Sequence, residues 1–256
     1  MLRLWPDTVN IGLFPGYCWL QHRSLSAPAL CPSSPKSGAA NLLQTFSSML
    51  ANPALRLRQG DTLAITTSDD IAALCSMPWQ ANLHTFDELE MYASMCFEKN
   101  HKTVDAAWVV HSAFRHFGST GMAYALPRTW LAQLAEQAAQ RGLRLQTVMP
   151  ITARAYFNPP RPLRQGQSLV LLHESTRLSA LVYHHGGMLA YDVEPIIGSA
   201  TASARRLLRR LNGTHEKIRQ INLWTQDQAG TEILSETILA ELPEAQMAIL
   251  ATAHWK

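Results

Sequence analysis

Histidine and acidic side chains are the residues of this 256-residue chain best suited to catalysis or metal binding, and their spacing limits that chemistry. His184 and His185 are adjacent, so on a strand they point to opposite faces, and no carboxylate or third histidine stands at a chelating spacing. Asp69 and Asp70 are typical of a turn rather than of a catalytic carboxylate pair. The sequence contains no nucleophile-elbow, zinc-protease, P-loop or dinucleotide-binding motif. We therefore predict no catalytic residue and no metal site.

Four arginines, Arg205, Arg206, Arg209 and Arg210, form a local basic cluster on a predicted helix, opposite its leucines. Such a cluster could bind phosphates, acidic lipid or an acidic partner, or it could be a solvated helix face. No aromatic residue interleaves the arginines, as a groove for single-stranded nucleic acid requires, so the solvated face is favoured. A net charge of +3 also lacks the strong basic excess of nucleic-acid-binding proteins.

Composition indicates a folded globular protein, with 47% hydrophobic and 16% charged residues. No window reaches the ~18 apolar residues of a membrane-spanning helix. The four cysteines form no C-x-x-C pair, which favours buried thiols in a reducing cytoplasm.

The elements that must position these residues follow one order twice. A hairpin around Pro15-Gly16, with strands at 9–14 and 17–21, precedes a helix with apolar positions from Ala39 to Leu50 and a strand at 62–66. The same order returns late in the chain. The two helices begin at 41 and 201 and the two following strands at 63 and 221, so both offsets are close to 160 residues. This agreement predicts a duplicated β-β-α-β unit.

A different segment lies between the copies. Thr85-x-x-Glu88 predicts a capping box for a helix, with strands on either side of it, and Pro127 begins a further helix that leads into a strand at 143–149. We therefore predict a mixed α/β fold with four parts. They are a first half (1–70), an inserted α+β subdomain (71–126), a helix and strand returning to the first half with a linker (127–160), and a second half (161–256).

This layout resembles the actin-like ATPase superfamily, which has a ribonuclease H-like fold, and within it the PilM-like group. That group comprises the type IV pilus protein PilM, its shorter relatives in competence and pseudopilus operons, and the cytoplasmic domain of the type II secretion protein GspL. Three segments carry the resemblance: residues 66–79, similar to a strand pair ending in "LP-x-P"; residues 87–98, similar to an "EL…E" helix; and residues 123–143, similar to "VVAAPR…L…AAGL".

The resemblance implies where a nucleotide would bind, and the sequence departs from it there. The superfamily has a D-x-G-type turn after the first strand and a second such turn opening the later half. Asn10-Ile11-Gly12 lacks the carboxylate, and His173-Glu174-Ser175-Thr176 lacks the glycine. Residues 224–228 stand where the superfamily has a glycine-rich adenosine-contacting turn. We expect a degenerate site, with no ATP hydrolysis and no cofactor, and ATP binding stays an alternative.

The resemblance also implies a partner. PilM-like proteins bind the short cytoplasmic tail of a bitopic inner-membrane protein of the PilN type, in a cleft near the extra subdomain. We place this cleft near Met77, Pro78, Trp79 and the helix that begins at Phe86. The expected protein is a cytoplasmic adaptor of a pilus or secretion platform, peripherally attached to the inner membrane, with an assembly ATPase as a further partner and no nucleic acid. The alternatives are an active ATPase or sugar kinase of the same fold, and a nucleic-acid-binding protein that uses the arginine cluster.

Overall fold

The structure is a computed structural model that describes residues 6–34, 38–52, 55–160, 166–215, 217–226 and 230–254. Within these ranges the chain forms two halves of the same topology and an inserted subdomain. The first half opens with a meander, a helix, a strand and a 3-10 helix at Asp69–Ile71. Its elements are β1 (Thr8–Leu13), β2 (Tyr17–Gln21), β3 (Ala29–Pro32), α1 (Ala39–Leu50) and β4 (Thr62–Thr67).

The inserted subdomain is a three-stranded antiparallel sheet, in the order β5-β7-β6, with one helix packed on it. Its elements are β5 (Ala73–Met77), α2 (Phe86–Lys99), β6 (Trp108–Ala113) and β7 (Gly121–Pro127). The capping box predicted for α2 is confirmed, because the side chains of Thr85 and Glu88 each accept the other's backbone N–H. The chain then returns to the first half through α3 (Arg128–Gln140), β8 (Arg144–Pro150) and the buried α4 (Ile151–Phe157).

The second half repeats the plan of the first. Its elements are β9 (Gln167–His173), β10 (Arg177–His184), β11 (Gly187–Pro195), α5 (Ala200–Thr214), β12 (Ile218–Thr225), α6 (Thr231–Glu241) and β13 (Gln246–Ile249). The sheet orders are β3-β2-β1-β4-β8 and β11-β10-β9-β12-β13. In each sheet the neighbouring strands of the three-stranded meander are antiparallel. The two remaining strands, β4 and β8 in the first sheet and β12 and β13 in the second, are parallel to the first meander strand. The two sheets therefore have equivalent topology. This confirms the predicted duplicated α/β fold.

Several elements differ from the sequence-based expectation. The first half has a third meander strand, β3, which was not predicted from the sequence, and α4, α6 and β13 were not predicted either. Helix α5 ends at Thr214, whose hydroxyl donates to the carbonyl oxygens of Arg210 and Leu211. None of the helices in the described ranges is long and apolar enough to cross a lipid bilayer.

One hydrophobic core joins the two halves. The ring of Phe14, after β1, lies 5.2 Å from that of Trp224 in β12, and both side chains are fully buried. Tyr183 of β10 and Tyr156 of α4 belong to the same core. A second core lies under α5 and α6, and a third, which includes Met77, fills the inserted subdomain. The turns after β1 and β9 therefore lie in a fixed relation to each other.

Candidate functional site

The structure corrects the position expected for the first nucleotide-facing turn. Asn10 and Gly12 lie inside β1, where they pair with Gln21 and Trp19 of β2. A Cβ atom on Gly12 would lie 2.1 Å from Nε1 of Trp19, so this glycine makes room for the indole and not for a phosphate. The turn after β1 is instead Phe14-Pro15-Gly16, in which Gly16 has φ of +92°. It contains no carboxylate either.

The second expected position, residues 173–176, does lie in the turn between β9 and β10. Ser175 and Thr176 are exposed, whereas Glu174 is only 1% exposed. The Oε1 atom of Glu174 accepts a hydrogen bond from the backbone N–H of Asp69, at 3.1 Å. Glu174 therefore binds the end of the first half's β4 segment and does not face an open cleft.

Asp69 is the second buried acid at this junction, which the sequence analysis treated only as a turn residue. The turn is real, since the Ser68 hydroxyl accepts the backbone N–H of Asp70. Asp69, however, is fully buried and is bound from both halves of the molecule. Its carboxylate accepts the backbone N–H of Thr152 at 3.1 Å, the Thr152 hydroxyl at 2.5 Å and the Ser179 hydroxyl at 3.3 Å.

Burial changes the ionisation of these two acids. Burial raises the pKa of Glu174 well above its ordinary value, and the negative charge of Asp69 raises it further. Burial also raises the pKa of Asp69, against the opposing effect of the hydrogen bonds from Thr152. Both acids are also taken up by protein groups, Glu174 by the N–H of Asp69, and Asp69 by the hydroxyls of Thr152 and Ser179. The pair therefore suits a structural junction better than a magnesium site.

Gln226 directly joins the two turns that would face a nucleotide. Its side-chain Nε2 donates to the carbonyl oxygen of Pro15, and its Oε1 accepts the backbone N–H of Ser175 at 3.2 Å. Its own backbone N–H donates to the carbonyl oxygen of His173 at 2.9 Å. The side chain is almost wholly buried, so protein groups fill the space between the turns. Residues 227 and 228 of the expected adenosine-contacting turn lie outside the described residues.

A groove of about 790 Å³ lies beside this junction, between the first half and the end of the second. None of the described residues that line it is charged. They are Pro15, Gly16, Tyr17, Pro28, Leu30, Cys31, Pro32, Ser175, Gln226 and Thr252. Proteins bind phosphates with lysine, arginine or clustered backbone N–H groups, so a groove of this lining suits an apolar group better than a triphosphate.

The four residues predicted to contact a partner are placed differently from one another. Met77 is fully buried in the core of the inserted subdomain and is therefore corrected to a packing residue. Pro78 is exposed, and its carbonyl oxygen accepts the Tyr92 hydroxyl of α2 at 2.9 Å. Trp79 is half-buried, and Phe86, the first residue of α2, is 90% exposed.

Trp79 belongs to an aromatic cluster that the sequence analysis did not identify. Its ring centroid lies 4.9 Å from that of Phe114 and 4.9 Å from that of Phe117, in the loop between β6 and β7. Phe117 is 89% exposed. An aromatic side chain this exposed next to a tryptophan is typical of an interaction surface.

The outer face of α2 combines apolar and acidic side chains, and we call it the α2 surface. Met91 and Met95 are exposed at i, i+4 spacing. The exposed acids Asp87, Glu90 and Glu98 lie in the same helix. Methionine adapts its shape to different apolar partners, and the acids attract basic ones. The α2 surface can thus accept a segment that is both apolar and basic.

The arginine cluster on α5 is engaged in ion pairs. Arg206 Nε lies 2.6 Å from Glu194 Oε1, and Arg210 Nε lies 2.6 Å from Asp192 Oδ2. The other two arginines share one carboxylate, with Arg209 3.3 Å and Arg205 3.9 Å from Glu241. These acids neutralise much of the charge that the sequence presented as a basic patch, which supports the solvated helix face.

Comparison with known proteins identifies the fold. The structure aligns with PilM in the PilM–PilN type IV pilus biogenesis complex at a TM-score of 0.69 and 14% identity, over 96% of this chain and 88% of that chain. A Bacteroides thetaiotaomicron protein with an actin-like ATPase fold aligns at 0.63 and 9% identity, over 95% and 90%. The cytoplasmic domain of EpsL, from the type II secretion system of Vibrio cholerae, aligns at 0.49 and 12% identity, over 97% and 87%. No family model and no curated protein sequence matches the chain. The chain has the actin-like ATPase fold, in the form found in PilM.

Proposed function

We propose that this protein is a non-hydrolysing, actin-like adaptor at the cytoplasmic face of the inner membrane. It binds the short cytoplasmic tail of a bitopic membrane protein in a type IV pilus, competence pilus or type II secretion platform. The observation that carries the proposal is the hydrogen-bonded bridge from Gln226 to Pro15 and Ser175, which occupies the space between the two turns. The fold likeness to PilM, solved in complex with PilN, supports the choice of partner.

The chemistry around the bridge argues against the rival function of an ATPase or sugar kinase. Such an enzyme needs ionised carboxylates for Mg²⁺ and positive or N–H groups for the phosphates. Here Glu174 and Asp69 are buried and hydrogen-bonded to protein groups, and the neighbouring groove has no charged side chain among its described lining residues. The same fold can therefore serve as a scaffold with its central junction closed.

The tail binds, in this proposal, at the α2 surface and the Trp79 cluster beside it. The hydrogen bond from Tyr92 to the carbonyl oxygen of Pro78 connects the helix to the segment that bears Trp79. Cytoplasmic segments next to a membrane span carry an excess of lysine and arginine. Such a tail complements the acids Asp87, Glu90 and Glu98, while its apolar residues contact the exposed methionines.

A peptide titration tests the tail site. The probe is a labelled synthetic peptide of the cytoplasmic tail of a bitopic membrane protein of the PilN type, measured by fluorescence anisotropy. We expect Trp79→Ala and the double change Asp87→Lys with Glu98→Lys each to weaken binding by roughly tenfold or more. Matched controls on α6, Ile233→Ala and the double change Glu232→Lys with Glu236→Lys, should bind as the wild type does.

Circular dichroism establishes that each variant is folded. If both Trp79→Ala and the double change Asp87→Lys with Glu98→Lys bind the peptide with wild-type affinity, the tail does not bind at this location. Absence of binding by the wild-type protein would refute the partner assignment.

A separate nucleotide experiment tests the closed junction. A ligand that binds the native state raises the melting temperature in proportion to the logarithm of its concentration above Kd. We expect millimolar Mg-ATP to leave the melting temperature unchanged and to release no phosphate. A saturable rise in melting temperature would show nucleotide binding and would favour the enzyme alternative.

A further inference from the structure

Three potential metal ligands meet at one end of the first half's sheet. Asp7 comes just before β1, His22 just after β2, and Asp61 just before β4. Each offers one ligand atom, and these atoms all lie within 4.8 Å of one another. The residues are far apart in the sequence, so only the pairing of β1 with both β2 and β4 brings them together.

The imidazole of His22 is the feature that points to a ligand. The side chain is only 2% exposed. Its Nδ1 lies 2.7 Å from the Ser24 hydroxyl, whereas Nε2 is buried without a hydrogen-bond partner among the described residues. A buried polar nitrogen with no partner is unfavourable, and a bound cation would satisfy it.

We propose that Asp7, His22 and Asp61 bind one divalent transition metal ion, of which Zn²⁺ is the best fit. One imidazole and two carboxylates are common zinc ligands, and a water molecule completes four-coordination. Nδ1 lies against Ser24, whose backbone N–H donates to it at 3.3 Å and whose hydroxyl can accept from it at 2.7 Å. When Nδ1 carries the proton and donates to the hydroxyl, the Nε2 lone pair is available to a metal. To reach zinc distances, the three ligand atoms draw closer together than in the present structure.

The Asp61 carboxylate has lone pairs to spare for this role. The two oxygens of Asp61 accept the backbone N–H groups of Asp7 at 2.9 Å and Arg58 at 2.8 Å. Each carboxylate oxygen has a second lone pair. Arg23 forms an ion pair with Asp7 through Oδ2 and is partly exposed, so its guanidinium can turn towards solvent when the metal binds. The ion would then connect the ends of three adjacent strands.

Metal titration of the full-length, untagged protein tests the proposal. After treatment with EDTA, we expect the wild type to bind one Zn²⁺ per chain, with a rise in melting temperature. Co²⁺ in place of Zn²⁺ should give the visible absorption of a four-coordinate site. His22→Gln should lose this binding, Asp7→Asn should weaken it by roughly tenfold or more, and Ser24→Ala should weaken it by about tenfold. The matched control, His184→Gln with His185→Gln, should bind as the wild type does.

Three results would overturn the site. They are absence of zinc binding by the wild type, unchanged binding in a folded His22→Gln protein, and loss of binding in the His184 and His185 control. If His22→Gln fails to fold, imidazole ¹⁵N NMR of the wild type decides. The proposal requires zinc to shift the His22 Nε2 signal, and an unchanged signal refutes it.

Discussion

The Nε2 amide of Gln226 donates a hydrogen bond to the carbonyl oxygen of Pro15, 211 positions earlier in the chain. This contact joins the end of β12 in the second half to the turn after β1 in the first. Because its Oε1 also accepts the N–H of Ser175, one side chain connects three segments. The connection holds the two halves together at the turns after β1 and β9.

Removing this amide should destabilise the protein. Gln226→Ala leaves the Pro15 carbonyl and the Ser175 N–H without their partner, and we expect a loss of about 1–3 kcal/mol in the free energy of unfolding. Urea unfolding followed by circular dichroism measures it. The control Gln133→Ala changes an exposed residue of α3 and should alter stability by no more than about 0.5 kcal/mol. Equal stability of the two variants would contradict a structural role for the bridge.

Glu174 should make stability depend on pH. Its pKa is raised in the folded protein, so as pH rises above the ordinary value of 4.5 the unfolded chain ionises while the folded one keeps its proton. Stability falls through this window until pH passes the folded-state pKa. The Gln side chain of Glu174→Gln cannot ionise. At neutral pH the free energy of unfolding of this variant should therefore exceed that of the wild type, by about 1.4 kcal/mol for each pH unit by which folding raises the pKa of Glu174.

Urea unfolding between about pH 4 and pH 8 measures the difference between Glu174→Gln and the wild type. The advantage of the variant should disappear at the acid end of the range. The control Glu236→Gln alters an exposed residue of α6 and should show no such trend. A constant difference across the pH range would argue that Glu174 is ionised in the folded state.

Two glycines should respond in opposite directions to alanine. At Gly12 the added methyl group would overlap the Trp19 indole, and we expect a loss of about 1–3 kcal/mol. At Gly213, inside α5, the methyl group meets nothing within 4 Å, so the better helix propensity of alanine should raise stability by about 0.5–1 kcal/mol. Thermal unfolding compares the two variants. A stable Gly12→Ala protein would show that β1 and β2 pack differently from the structure.

The arginine cluster provides a test against nucleic-acid binding. Arg205 and Arg209 share the carboxylate of Glu241, which neutralises part of their charge. We therefore expect the double change Arg205→Glu with Arg209→Glu to leave the protein's affinity for duplex DNA unchanged at low salt. Fluorescence anisotropy with a labelled duplex measures it. Stability should change by less than about 1 kcal/mol per pair, as is usual for exposed ion pairs. A salt-dependent affinity that the double reversal abolishes would support the nucleic-acid alternative.

Much of the fold was predictable because its signals are local. The hairpin around Pro15-Gly16, the apolar face of α1 and the capping box of α2 each depend on neighbouring residues, and all three are present. β3 was missed because it has only four residues and ends in a proline, which leaves too short a pattern to detect. Helix α6 was missed because its apolar residues do not define a clear face.

The candidate site was less predictable than the fold. The resemblance to the PilM-like group placed Met77 and Trp79 together as partner contacts. The structure separates them, with Met77 in the core of the inserted subdomain and Trp79 against Phe117 at its surface. Met77 is the last residue of β5, and Trp79 lies beyond the strand, so the alternation of strand faces does not extend to it.

The sequence was enough to predict most of the strands and helices, the duplication, and the absence of a carboxylate in the first turn and of a glycine in the second. These properties are set by neighbouring residues and by a constant spacing. The tertiary structure was needed to show that Gln226 reaches Pro15, that Glu174 is buried beside Asp69, and that ligand atoms of Asp7, His22 and Asp61 lie within 4.8 Å of one another. Each of these contacts joins residues from separate strands or turns. Their chemistry depends on burial and proximity, which arise only when the sheets assemble.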